Sequence, residues 1–265
     1  MKKLLKYGAI VFVVLAVLGA IFGKQKEEQV ESAASDAGLS VAGVKMASIV
    51  YSDDLMTALT GGKATSNLEH AMEVSEIGHK VTSAQYSKDF NDNEIAADKK
   101  YAGKKVLITG KIDSINKDIV GSGYLSLKTG GQLDFGMHAR LSLVGYEDAA
   151  ALKKGETVYV VCDPDTKIGP ISVAKNCTML EAYLNNGGRL ARYVNAVLTG
   201  KKAPENVLEA ISFAYVLGEM LPDDSSCYSV KANRDKCNKE IEALVKTKTD
   251  DFKQRFHLVY DRLKQ

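Results

Sequence analysis

Between Lys104 and Cys177 the spacing of apolar residues changes from helical to alternating and then back, and that change limits what the chain can fold into. The run Lys105-Val106-Leu107-Ile108-Thr109-Gly110-Lys111-Ile112-Asp113-Ser114-Ile115 alternates as a half-buried strand does, with Gly110 where such a strand bends. A second strand is expected over 120–127, broken by Gly121 and Gly123, a third over 132–143, a fourth over 156–162 and a fifth over 171–177. A helical piece over 147–152, closed by Lys153-Lys154-Gly155, separates the third strand from the fourth.

Five short strands, glycines at the bends and one helix between strands three and four are the pattern of an OB-fold barrel. After Cys177 the period returns to 3.6. Leu190, Tyr193, Val194, Val197 and Leu198 share one face, and Pro204-Glu205 opens a helix carrying Val207, Leu208, Ile211, Tyr215 and Leu221 that Pro222 stops. Ile241, Leu244, Val245, Phe252, Phe256, Val259 and Leu263 form the stripe of a last helix. Ahead of the barrel, a stretch rich in Glu, Ser, Ala and Gly reads as a spacer, with weak helical spacing between Met46 and Gly78. The expected class is α+β, divided into a membrane anchor (1–28), a spacer with weak helices (29–80), an OB barrel (81–184) and a helical module (185–265).

Lys2, Lys3 and Lys6 precede 17 uncharged residues, Tyr7 to Gly23, a run of about 25 Å as a helix and so at the short end of a membrane span. A cleaved signal has a shorter core followed by small residues, whereas Gly23 leads straight into Lys24-Gln25-Lys26-Glu27-Glu28. Cys162 is the first cysteine, so no lipid-modified cysteine stands near the start. The reading is an uncleaved, single-pass anchor of a bacterial inner membrane, N-terminus inside, with the bulk of the chain in the periplasm or outside. In an oxidising compartment four cysteines form disulfides, and four allow three pairings. Cys162 and Cys177 flank the turn residues Asp163-Pro164-Asp165 and Gly169-Pro170, while Cys227 and Cys237 close a short loop, so the two local pairs are expected.

Tyr86, Asn93-Glu94, Ala97-Asp98, Tyr101, Gly103-Lys104, Val106, Ile108-Thr109-Gly110, Ile112 and Ile115, with Leu152-Lys153-Lys154-Gly155 and Cys177, together resemble the tRNA-anti-like family of bacterial envelope proteins over roughly 81–184. The resemblance implies an OB fold and no general enzymatic activity. It also implies a disulfide partner for the final cysteine on the third strand, where this chain has Phe135 and Gly136. Read from the residues themselves, Asn93, Glu94 and Asp98 sit on a helical turn before strand one, Tyr101 packs under the barrel, and the set Asn93, Glu94, Asp98, Tyr101, Gly103, Lys104 and Gly110 is structural.

With 35 Lys+Arg against 33 Asp+Glu the net charge is +2, which excludes a strongly basic field of the kind that collects polyanions. The sequence contains no HExxH, GxSxG, Walker A or GxGxxG motif, and His70, His79, His138 and His257 lack ligand spacing, so no catalytic residue, metal site or cofactor is assigned. A membrane-anchored, non-catalytic binding or adaptor protein is the expected function, with a protein, peptide or glycan as ligand. Loops around 117–123 and 163–169 form the expected barrel mouth, and Lys117, Tyr124, Lys128, Phe135, His138 and Arg140 are the candidate contact residues. Single-stranded nucleic-acid binding is the alternative; it needs aromatic platforms and a cation track, which these strands supply thinly. A periplasmic immunity or inhibitor protein is a second alternative, suggested by the run Phe213 to Met220 with Cys227 soon after, although core packing of Tyr215 and Leu217 explains that run equally well.

Overall fold

The structure, a computed structural model, describes residues 38–130, 135–185, 188–228 and 234–265. In chain order its elements are α1 (Val41–Thr60), α2 (Leu68–Val74), β1 (Ile77–Thr82), α3 (Ser83–Asp92), α4 (Glu94–Tyr101), β2 (Lys105–Lys117), β3 (Gly123–Leu127), β4 (Met137–Leu141), α5 (Leu143–Ala149), β5 (Thr157–Pro164), β6 (Ser172–Met179), α6 (Leu180–Asn185), α7 (Arg189–Leu198), α8 (Glu205–Met220), α9 (Arg234–Thr247) and α10 (Thr249–Leu263). They fall into two compact units, Met72–Tyr183 and the chain up to Ala71 together with Leu184–Gln265.

The first of these units is a closed five-stranded barrel. Its strands run β2-β3-β4-β6-β5 and return to β2, with β4 and β6 parallel and the remaining barrel pairs antiparallel. This is the OB order, and α5 stands between the third and fourth barrel strands as the sequence pattern requires. Within the barrel, long β2 serves two partners, β5 through Val106↔Cys162 to Lys111↔Thr157 and β3 through Ile112↔Leu127 to Lys117↔Gly123, with a bulge at Ile112/Ser114. Gly110 is not itself a break in the β2–β5 ladder. Its reason is space, because a Cβ there would lie 2.8 Å from Ser83 Oγ and 3.0 Å from the Leu127 side chain.

Alternation fills the barrel with Val106, Ile108, Ile112, Leu125, Leu127, Met137, Ala139, Val158, Val160 and Ala174. Tyr86, Phe90 and Tyr101, from α3 and α4, join this core as three rings with centroids 4.9, 5.1 and 6.0 Å apart. Each buried hydroxyl has a partner: Tyr86 donates to Val173 O at 3.0 Å, and Tyr101 donates to Asp89 Oδ2 at 2.5 Å. Cys162 and Cys177 are bonded to each other across β5 and β6, and Cys227 to Cys237, the two local pairs expected from the sequence. β1 is a sixth strand outside that expectation. It runs parallel to the first half of β2, and only Ile77 in it is fully buried, so its sequence carries no alternation.

The other unit is helical, and its largest element comes from ahead of the barrel. Where the sequence suggested a spacer with weak helices, α1 is a 20-residue helix buried on most sides. Many of its buried residues are small or polar (Gly43, Ala47, Ser48, Ser52, Asp53, Asp54), and these leave no apolar stripe to read. Asp54 accepts from Thr65 N at 2.5 Å and Ser66 N at 2.9 Å, which fixes the turn after α1. The helices after the barrel therefore share a core with α1, and the unit is discontinuous in sequence. Among the described residues no helix is long and apolar enough to cross a membrane, and the expected anchor at 7–23 lies outside them.

Candidate ligand face of the barrel

The alternation that sends Leu125, Leu127, Met137 and Ala139 into the core turns Tyr124, Ser126, His138 and Arg140 to the opposite face of β3 and β4, where Ser126 is buried, Tyr124 and His138 are half-buried and Arg140 is exposed. The register sets Tyr124 opposite Arg140 and Ser126 opposite His138. The Tyr124 and His138 rings stack diagonally, 4.5 Å between centroids and 30° between planes. Burial, and then the charge of Arg140, lower the His138 pKa below its ordinary value, so the imidazole is neutral at neutral pH. The outcome is an uncharged aromatic platform beside a permanent cation. Just ahead of β4, Gly136 takes φ +70°, and a Cβ there would sit 3.2 Å from Leu127 O and run into Ser126 Oγ, so the close approach to the end of β3 needs a glycine.

The other three candidate contact residues do not join this cluster. Lys128 follows β3 at its far end and is 3.9 Å from Asp113, which Lys154 approaches to 3.5 Å. Phe135 is exposed just ahead of β4 at that same end. Lys117 pairs with Gly123 and so has the parity of the core residues; its ammonium lies 5.3 Å over the Tyr146 ring. Tyr146, the neighbour of Lys117, is a residue the sequence reading passed over, because it placed the helix at 147–152 and the helix begins at Leu143. Ser142 was the available sign, an N-cap whose Oγ accepts from Gly145 N at 3.1 Å.

The two mouth loops differ in how they are held. In the β2–β3 loop Asp118 Oδ1 accepts from Val120 N and Ser122 N at 3.0 and 2.8 Å. In the β5–β6 loop the carboxylates are committed to neighbours: Asp163 to Lys105 at 2.7 Å and Asn176 at 3.1 Å, Asp165 to Lys175 at 3.2 Å. Burial works against ionised Asp163, yet those hydrogen bonds outweigh it and hold its carboxyl below the usual range. Among the described residues no group of three or more His, Cys, Asp or Glu is arranged to hold a metal ion.

The family-motif residues lie on α4 and at its N-cap, in the turn that follows it and on β2. Asn93 caps α4, accepting from Ala96 N at 3.0 Å, Tyr101 is in the core, and Gly103 takes φ +68° in the turn into β2. Lys104 packs its stem over Gly78, and Glu94 and Asp98 are exposed on α4. In the helical unit Tyr215 and Leu217 are buried on α8.

The outward stack thus stands on a small closed barrel of the OB class. The chain belongs to the tRNA_anti-like family, whose match covers residues 1–179. No curated protein matches. Among solved structures, a Klebsiella pneumoniae chain described as a candidate nucleic acid-binding lipoprotein is 23% identical, with a TM-score of 0.34, over 40% of this chain and 94% of that one.

Proposed function

We propose that this chain is a non-catalytic binding protein of the bacterial envelope, tethered by residues 7–23, that presents the outer face of β3 and β4 to an exported peptide or glycan. The observation that carries the reading is the Tyr124–His138–Arg140 cluster, an aromatic surface and a cation set outside a barrel whose interior is filled with side chains. The two disulfides point to an oxidising, extracytoplasmic compartment, which supports an envelope ligand. A second reading draws on the same stack: a ring beside a guanidinium also suits a base and its phosphate, so single-stranded nucleic acid is the competing ligand.

A photo-reactive phenylalanine analogue in place of Tyr124, in the full chain in intact cells, tests the first reading. Cross-links to an envelope protein or glycan that Arg140→Ala abolishes are the expected result. Binding of a dT15 oligonucleotide that weakens steeply with salt and is lost in Tyr124→Ala, with no envelope cross-link, would replace it with the second.

A further inference from the structure

We infer that the tip of the β2–β3 hairpin, with Leu143 and Tyr146 beside it, is a membrane-contact surface that inserts shallowly into the headgroup region of a lipid bilayer. The inference rests on the tethered reading above. Hairpin tips are ordinarily polar, yet this one presents Ile119, fully exposed, and Val120 at 78%. Neither is a stray side chain on a loose loop. The N–H groups of Asp118 and Gly121 bond to Ser122 O at 2.9 Å and Asp118 O at 3.0 Å, and those of Val120 and Ser122 bond to Asp118 Oδ1. The tip thus satisfies these backbone donors within itself. That removes much of the cost of taking its backbone out of water.

The apolar surface continues past the tip. At the hairpin base Gly123 brings the Tyr146 ring close, with a Cβ position 2.5 Å from Tyr146 Cδ2, and Leu143 lies one turn earlier on α5 at 90% exposure. Lys117, over the Tyr146 ring, puts a cation beside this ledge, and Arg140 is exposed one residue from the end of β4. Aliphatic residues in front, a tyrosine behind them and cations at the rim are the order in which side chains distribute across a membrane interface, the cations facing anionic headgroups. The cations beside the ledge argue for the anionic headgroups of a bilayer over an uncharged protein surface, and the tethered reading supplies that bilayer.

The sequence contains no tryptophan, so Ile119→Trp supplies a single reporter in the full chain reconstituted into phosphatidylethanolamine–phosphatidylglycerol vesicles with brominated acyl chains. The expected result is a blue-shifted emission quenched by the bromines, lost on adding Val120→Asp, while an indole introduced by Ile95→Trp on α4 stays solvent-like. Solvent-like, unquenched emission from position 119 overturns the inference. So does a blue shift without quenching, which would assign the tip to protein contacts. Retention on vesicles after an alkaline wash reads the tether separately. A chain that stays bound with position 119 unquenched keeps the tether and loses the insertion, whereas quenching in a chain that then washes off keeps the insertion and loses the tether.

Discussion

His138 is a base kept neutral by two causes, burial and the neighbouring guanidinium of Arg140. Its folded pKa lies below the unfolded value of about 6.5, so the stability it contributes is complete above that value and is lost as the pH falls through the folded one. Arg140→Ala should move the imidazole titration upward without restoring the ordinary value, since burial remains; an NMR titration showing no movement would contradict the electrostatic account of the ligand face. Asp89 gives the second pH prediction. Burial raises its pKa, but hydrogen bonds from Lys100, Tyr101 and Gln85 together outweigh that and lower it, so its contribution is present above an unfolded value of about 3.9 and is lost on acidification through the folded one. Tyr101→Phe removes one of those bonds at a cost of about 1 kcal/mol, and acid unfolding should then begin at a higher pH than in the wild type. Much at this scale was legible: Asn93, Tyr101 and Gly103 were read as structural and occupy a cap, the core and a left-handed turn. The stack was not, because Tyr124 and His138 meet only through the β3–β4 register, which sequence alone does not fix.

At the scale of elements, the barrel strands were legible where one face is buried and the other is not. β2, β5 and β6 lie within a few residues of their expected spans, since alternation states their two faces directly. β1 and α1 were missed for opposite reasons. β1 is partly exposed on both faces, while α1 is buried on most sides and many of its own buried residues are small or polar. The packing of α1 on α8 depends on two glycines. A Cβ at Gly43 would lie 2.7 Å from the Tyr215 ring, and one at Gly218 would lie 2.5 Å from Ala42 O. Gly218→Ala is therefore expected to destabilise by about 1–3 kcal/mol through overpacking, although in a free helix alanine gains about 1 kcal/mol over glycine. Chemical denaturation giving an unchanged or raised midpoint would refute the close crossing. The Cys162–Cys177 bond closes a loop of sequence separation 15, for which about 2–4 kcal/mol is expected. A Cys162→Ser, Cys177→Ser double variant should lose that much, and the wild type should lose the same or more on reduction.

For the whole molecule, the barrel is an insertion between the parts of a helical unit, α1 on one side and α7 to α10 on the other. The sequence suggested four consecutive segments because period reports local structure and carries no record of which distant helices share a core. The two disulfides point to an oxidising compartment outside the cytoplasm, and with the aromatic and cationic outer face of a solid barrel they support the proposed role of a tethered binding protein. Non-reducing thiol mapping by alkylation and mass spectrometry, on the membrane fraction of native cells and with the N-terminal peptides recorded, tests it most directly. The account predicts intact residues 1–28 in the membrane fraction and Cys162–Cys177 and Cys227–Cys237 bridges in the same molecules. Four alkylated thiols would place both folded units in a reducing compartment, contradict the envelope role and turn the Tyr124–His138 face toward single-stranded nucleic acid.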